Sequence, residues 1–272
     1  MFAALVWVTS LLSGCADAPM IRGGSLSSYD DLTPSDGVLT KSLVRVNKDG
    51  VLAAKTVRII PTAFSEAASP VLSEKQRRLV ANSANRSLCI GLSERFRIVE
   101  ANEPADLTVY AVVTQATATN EVAAGASKVV SIVPTALGVP APVPRIPVGL
   151  GSLTLEAEAQ DATGKQQAAM IWARGADSFT STPRVSTAGD AYDLATTFGG
   201  DFSKLLVTGS SPFGKMPSAP SLQAIGASLG GKPKYSACEA FGKNPGVGGI
   251  IAGHVGLPPD WSDDGAPAGN KP

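Results

Sequence analysis

The stretch SLTLEAEAQDATGKQQAAMIWAR, residues 152–174, decides the fold. Leu153, Leu155, Ala157 and Ala159 alternate with Thr154, Glu156, Glu158 and Gln160. This is the period of a strand with one apolar and one polar face. Asp161-Ala162-Thr163-Gly164 follows, a turn in which Gly164 can take a positive φ without steric cost. Residues 166–174 then return antiparallel. A hairpin with one polar row predicts an antiparallel sheet whose second face is wet. On that reading Glu156 and Glu158 are solvated strand residues; a carboxylate pair for acid–base chemistry is the competing reading.

Upstream, Leu107, Val109, Ala111 and Val113 mark a longer strand, residues 96–99 a short one, and Lys55–Ile60 a strand stopped by Pro61. A helix is predicted from about Ser73, where Ser73 and Gln76 form a capping box. Val80, Ala84, Leu88 and Leu92 recur every four residues as its apolar stripe. Arg77, Arg78, Asn82 and Arg86 lie largely off the stripe. Downstream, Leu194, Phe198, Phe202 and Leu205 mark a second amphipathic helix, interrupted at Gly199-Gly200. The expected class is α+β: a mostly antiparallel sheet with amphipathic helices packed on one face. An irregular Gly/Pro-rich carboxy-terminal tail, residues 208–272, follows it.

The 272 residues carry 23 basic and 23 acidic side chains, which leaves no electrostatic footprint for nucleic acid and no polybasic membrane patch. Residues 2–12 are an apolar run too short to span a bilayer, which takes about 20 residues, but of signal-peptide length. Leu12-Ser13-Gly14-Cys15 follows and resembles the lipobox of bacterial lipoproteins. That resemblance implies a lipid on the Cys15 thiol, removal of the signal peptide 1–14 and a mature chain beginning at Cys15. Ala16 after the cysteine implies the outer membrane, with the domain facing the periplasm. No basic residue precedes Arg22, which departs from the usual signal-peptide start. Residues 15–50, rich in Ser, Gly and Asp, are expected as a lipidated tether that partly docks. The oxidising envelope lets Cys89 and Cys238 pair; the alternative is two buried thiols.

Residues 122–151 form an apolar insertion between two strands of the 51–207 domain. Val129, Val130, Ile132, Val133 and Leu137 stand in it, together with five prolines that prevent a regular helix throughout. It is expected either as a lid completing the core or as an exposed apolar surface for lipid, ligand or protein.

Chemical motifs are weak. Gly226-Ala227-Ser228-Leu229-Gly230 fits a nucleophile elbow, but no apolar strand precedes it, and His254 is the single histidine. The expected form is a short helix ended by Gly230-Gly231. A lone histidine without clustered cysteines does not make a zinc site. Gly246-Val247-Gly248-Gly249 lacks dinucleotide-binding spacing. Asp260, Asp263 and Asp264 lack the alternation of a calcium loop. No metal site, cofactor or catalytic set is expected.

Several short motifs together resemble the DUF3313 family of uncharacterised bacterial lipoproteins. They are Gly24-x-Leu26-x-x-Tyr29-x-x-Leu32, Val57-x-Ile59-x-Pro61, Ala105-Asp106-Leu107 and the 151–174 hairpin, over roughly residues 20–207. The resemblance implies an envelope lipoprotein and no known activity. The expected function is non-enzymatic: an envelope assembly or binding protein, with the membrane and an envelope protein as partners. The alternative is a carrier of a lipid or other hydrophobic small molecule that uses the 122–151 insertion as its pocket wall.

Overall fold

The computed structural model describes residues 16–136, 144–214 and 219–266, with the backbone alone for 132–136. Leu12, Ser13, Gly14, Cys15 and Leu137 lie outside the described residues. The strands are β1 (Thr33–Pro34), β2 (Thr40–Val46), β3 (Thr56–Ile59), β4 (Ala63–Phe64), β5 (Arg97–Ile98), β6 (Leu107–Thr117), β7 (Ser152–Asp161) and β8 (Gln166–Gly175). The helices are α1 (Lys48–Ala53), α2 (Glu74–Leu92), α3 (Glu121–Ala136), α4 (Gly189–Thr208), α5 (Leu222–Ser228) and α6 (Gly246–His254).

All strands join one sheet in the order β1-β2-β8-β7-β6-β3-β5, with β4 following β3 along the edge of β6. The β1–β2–β8–β7–β6 pairings are antiparallel, while β3, β4 and β5 run parallel to their partners. The protein is therefore α+β with a mostly antiparallel sheet, as the hairpin predicts. Leu153, Leu155, Ala157 and Ala159 point with Met170 and Trp172 into one core beneath α2 and α4.

Helix α2 starts as its sequence requires. The Ser73 hydroxyl accepts the Gln76 amide, and the Gln76 side chain accepts the Ser73 amide. Val80, Ala84, Leu88 and Leu92 are fully buried. Helix α4 is continuous through Gly199-Gly200, contrary to the expected interruption. Gly199 serves an interhelical approach: a Cβ there would stand 2.5 Å from the Ser87 Cβ on α2. Gly209 ends α4 in the left-handed region at φ 61° and returns its amide to Leu205 O.

Two boundaries differ from expectation. The 15–50 tether contains a full member of the sheet, because β2 pairs with β8 from Thr40↔Arg174 to Val46↔Ala168. Its Leu43 and Val44 each find an apolar layer, one on either face, and β8 offers an otherwise unpaired edge. The described part of the 208–272 extension folds into α5, a 3₁₀ turn at Ser236–Phe241, α6 and a second 3₁₀ turn at Pro259–Trp261. It is docked on α2 and carries no strand among its described residues.

Candidate functional site

The polar face of β7 is sealed. Glu156 is 1% and Glu158 4% exposed, so the expected wet face is corrected. Residues 16–32 run across it as a strap. Glu156 Oε1 accepts the Gly23 amide at 2.7 Å, and its Oε2 accepts the Ser25 amide at 2.9 Å. The Ser25 and Tyr29 hydroxyls donate to the same Oε2 at 2.5 and 2.7 Å. Glu158 Oε2 accepts the Ser27 amide and hydroxyl and the Gln166 side chain at 2.8, 2.7 and 2.6 Å. A buried carboxylate is tolerated when donors surround it; here the strap supplies all of those to Glu156, and the strap with Gln160 and Gln166 of the hairpin those to Glu158. Leu26 packs on Ala169 and Ile171, with Tyr29, Leu32 and Leu43 beside it. Burial, then the bond to Glu156, raises the Tyr29 pKa.

The Gly24, Leu26, Tyr29 and Leu32 motif is thus the strap itself. Asp106 of the Ala105-Asp106-Leu107 motif accepts the Lys55 and Thr56 amides, which hold its pKa below the usual carboxylate range. Asp161 organises the hairpin turn, accepting from Thr163, Lys165 and Gln167. The glutamate pair and these motifs have architectural partners.

The strap begins at the sheet. The Ala16 amide donates to Ala176 O at 2.9 Å, and the Ala176 amide donates to Gly151 O at 2.9 Å. Ala18 is buried. The residue next to Cys15 is therefore fixed at the end of the sheet where β8 stops and β7 starts. The insertion leaves from and returns to this same end. Thr119 donates its amide to Thr187 O, and Asn120 donates to Gly149 O. Asp190, at the start of α4, closes the loop: its carboxylate pairs with Arg145 and accepts the Gly151 amide at 2.7 Å and the Thr119 hydroxyl at 2.9 Å. Arg145 and Asp190 are both buried.

Between these anchors α3 makes no extensive contact with any strand among the described residues. It runs through Pro134 in its last turn. The insertion is thus helical over its first half, Glu121–Ala136. Ala124 and Ser127 are buried, whereas Val122, Val129 and Val130 are exposed. Ile132 and Val133 lie on α3, but their side chains, like Leu137, fall outside the described residues.

Two cavities flank Arg184. One, of about 260 Å³, is lined by Arg86, Tyr192, Asp193 and Ser228 among others. The second, of about 280 Å³, is lined by Arg174, Thr180, Asp190, Asp193 and His254. Arg184 Nε bonds Asp193 at 3.1 Å and its guanidinium lies 5.4 Å from the Tyr192 ring centre. Burial pushes the Asp193 carboxyl above its usual range against the pull of Arg184. An apolar cavity of about 860 Å³ lies at the far edge of the sheet, lined by Ile59, Pro61, Ile98, Val99 and Phe241.

Ser228 ends α5, the short helix expected, and its hydroxyl donates to Ala224 O at 2.9 Å. Ser228 and His254 line different cavities. Asp263 is buried in an ion pair with Arg86 and accepts the Tyr192 hydroxyl at 2.7 Å, while Asp260 sits 3.7 Å from Lys75. No cluster of three potential metal ligands occurs among the described residues. Cys89 and Cys238 are joined in a disulfide, with Cα atoms 5.8 Å apart, which ties the extension to α2. No described helix is long and apolar enough to cross a membrane.

Sequence periodicity missed the roles of Arg86, Arg145 and Glu156. An arginine close to an apolar stripe (Arg86) and a lone arginine in an apolar insertion (Arg145) were the available signals.

Fold and site together define an α+β domain whose strap and insertion converge on one end of the sheet. The family model described as "Protein of unknown function (DUF3313)" matches residues 22–202, and the chain belongs to that family. No curated protein matches. Among solved structures, the PelC dodecamer from Paraburkholderia phytofirmans is similar at 10% identity and TM-score 0.35, over 62% of this chain and 98% of that one. A DUF330 protein from Xanthomonas campestris aligns at 11% identity and TM-score 0.33, over 57% of this chain and 85% of that one. A DUF4136 protein from Bacteroides thetaiotaomicron aligns at 11% identity and TM-score 0.31, over 65% of this chain and all of that one.

Proposed function

We propose that this is a non-enzymatic envelope lipoprotein, anchored through a lipid on Cys15 in the outer membrane, facing the periplasm and serving assembly or binding there. The observation that carries this reading is the Ala16–Ala176 hydrogen bond beside the Leu12-Ser13-Gly14-Cys15 sequence. A lipid accepted by Cys15 has no loose chain behind it; it is joined to the sheet by one residue.

The exposed side chains of Val129 and Val130 line none of the cavities described above. The exposed Val122, Val129 and Val130 favour reading the described part of the insertion as a surface. The buried carboxylates Glu156, Glu158, Asp190 and Asp263 all hold strap, insertion or extension in place. The test is cross-linking of the mature protein in its native envelope, with Cys15→Ala as control. The reading expects a protein neighbour trapped with the parent and lost with C15A. An ester-hydrolase activity abolished by Ser228→Ala would overturn it.

A further inference from the structure

The two ends of the sheet differ in what they expose. At the end bearing Ala16, the chain exposes Val38 fully, Val122 at 83%, Val148 at 62% and Phe179 at 79%. Helix α3 leaves from the same end and adds Val129 at 64%. Opposite, the turns at 47–55, 100–106 and 161–165 expose one large apolar side chain among the described residues, Leu52, at 36%. Large apolar side chains gathered on one surface mark a contact.

The anchored Ala16, next in sequence to Cys15, says what covers it. Consecutive Cα atoms are about 3.8 Å apart, so the Cys15 sulfur reaches only the surroundings of Ala16. A free chain over residues 16–50 would have given roughly 30 Å of reach. The docked strap removes that freedom, and an acyl chain on Cys15 must enter the bilayer beside Val38, Phe179 and the start of α3. Helix α3 turns Val122, Val129 and Val130 outward, while the Lys128 stem lies inward against Gly256.

We propose that this end of the sheet, with α3, rests on the phospholipid surface of the membrane that holds the Cys15 lipid. The inference depends on Cys15 being lipidated. It makes α3 a second membrane contact, which fixes the orientation of the domain on the bilayer.

The full lipidated protein is reconstituted into vesicles of phosphatidylethanolamine and phosphatidylglycerol, with or without dibrominated acyl chains. Two variants, Val129→Trp and Thr163→Trp, report on the insertion and on the far hairpin turn, and the parent corrects for native tryptophans. The mass of the amino-terminal peptide is read from the same sample. The expected result is a lipid mass on Cys15, with V129W emission blue-shifted and quenched by bromine and T163W unaffected. A lipid on Cys15 with V129W and T163W equally unquenched overturns this inference and leaves the lipoprotein reading standing. An unmodified Cys15 overturns both. Phe179→Asp in the lipidated protein should reduce V129W quenching while the protein stays in the membrane fraction.

Discussion

Tyr29 donates its hydroxyl to Glu156 Oε2 at 2.7 Å across 127 residues of sequence. Through this bond and three others to the same carboxylate, the strap closes the second face of the sheet. Glu156→Ala should leave the Gly23 and Ser25 amides unpaired and destabilise the fold by about 2–4 kcal/mol. Tyr29→Phe, which removes one hydroxyl, should cost about 1 kcal/mol. Denaturant titration gives both values. Hydrogen exchange should show E156A deprotecting residues 16–32 well ahead of the hairpin.

The hairpin, α2 and α4 were legible because their periodicity is local: Leu153 to Ala159 and Val80 to Leu92 each repeat over one element. The strap was not, because Glu156 and Glu158 look like wet-face residues until a distant segment covers them. The family motif at Gly24–Leu32 marked that segment without disclosing its target. Arg145 and Asp190 escaped for the same reason, as partners separated by 45 residues. The disulfide stood as one of two open readings, since spacing alone does not place α2 beside the 3₁₀ turn at Cys238.

Asp190 joins the two ends of the insertion to α4. Asp190→Ala should leave Arg145 buried and uncompensated, costing about 3–5 kcal/mol. Circular dichroism melts of D190A and of the double variant R145M/D190L should separate the cases. The double variant, with two apolar side chains, should recover part of the loss.

Reduction of the Cys89–Cys238 disulfide opens a loop of 149 residues. Cys89→Ala with Cys238→Ala should lower stability by about 2–5 kcal/mol. The loss should be accompanied by faster hydrogen exchange in 219–266, because Arg86–Asp263 is then the main buried tie of that segment to α2. Unchanged exchange there would assign the docking to packing alone.

Asp161 titrates at about 2, drawn down from 3.8 chiefly by the Thr163 hydroxyl, and then by the Gln167 side chain and the Thr163 and Lys165 amides. Asp106 is shifted in the same direction by the Lys55 and Thr56 amides. A carboxyl whose folded pKa is depressed stabilises the fold above its unfolded value and loses that contribution as pH falls through the folded one. The contribution of Asp161 should therefore be complete above pH 3.8 and disappear towards pH 2. Carboxyl-carbon NMR titration checks the value, and Asp161→Asn should flatten that part of the stability profile.

The most direct test of the central claim is the mass of the amino-terminal peptide of protein taken from the membrane fraction, compared with the fractionation of Cys15→Ala. A mature chain that begins at Cys15 with diacylglyceryl and acyl mass, and a C15A protein lost from the membrane, is the predicted result. An unmodified Cys15, with C15A still in the membrane fraction, would contradict it.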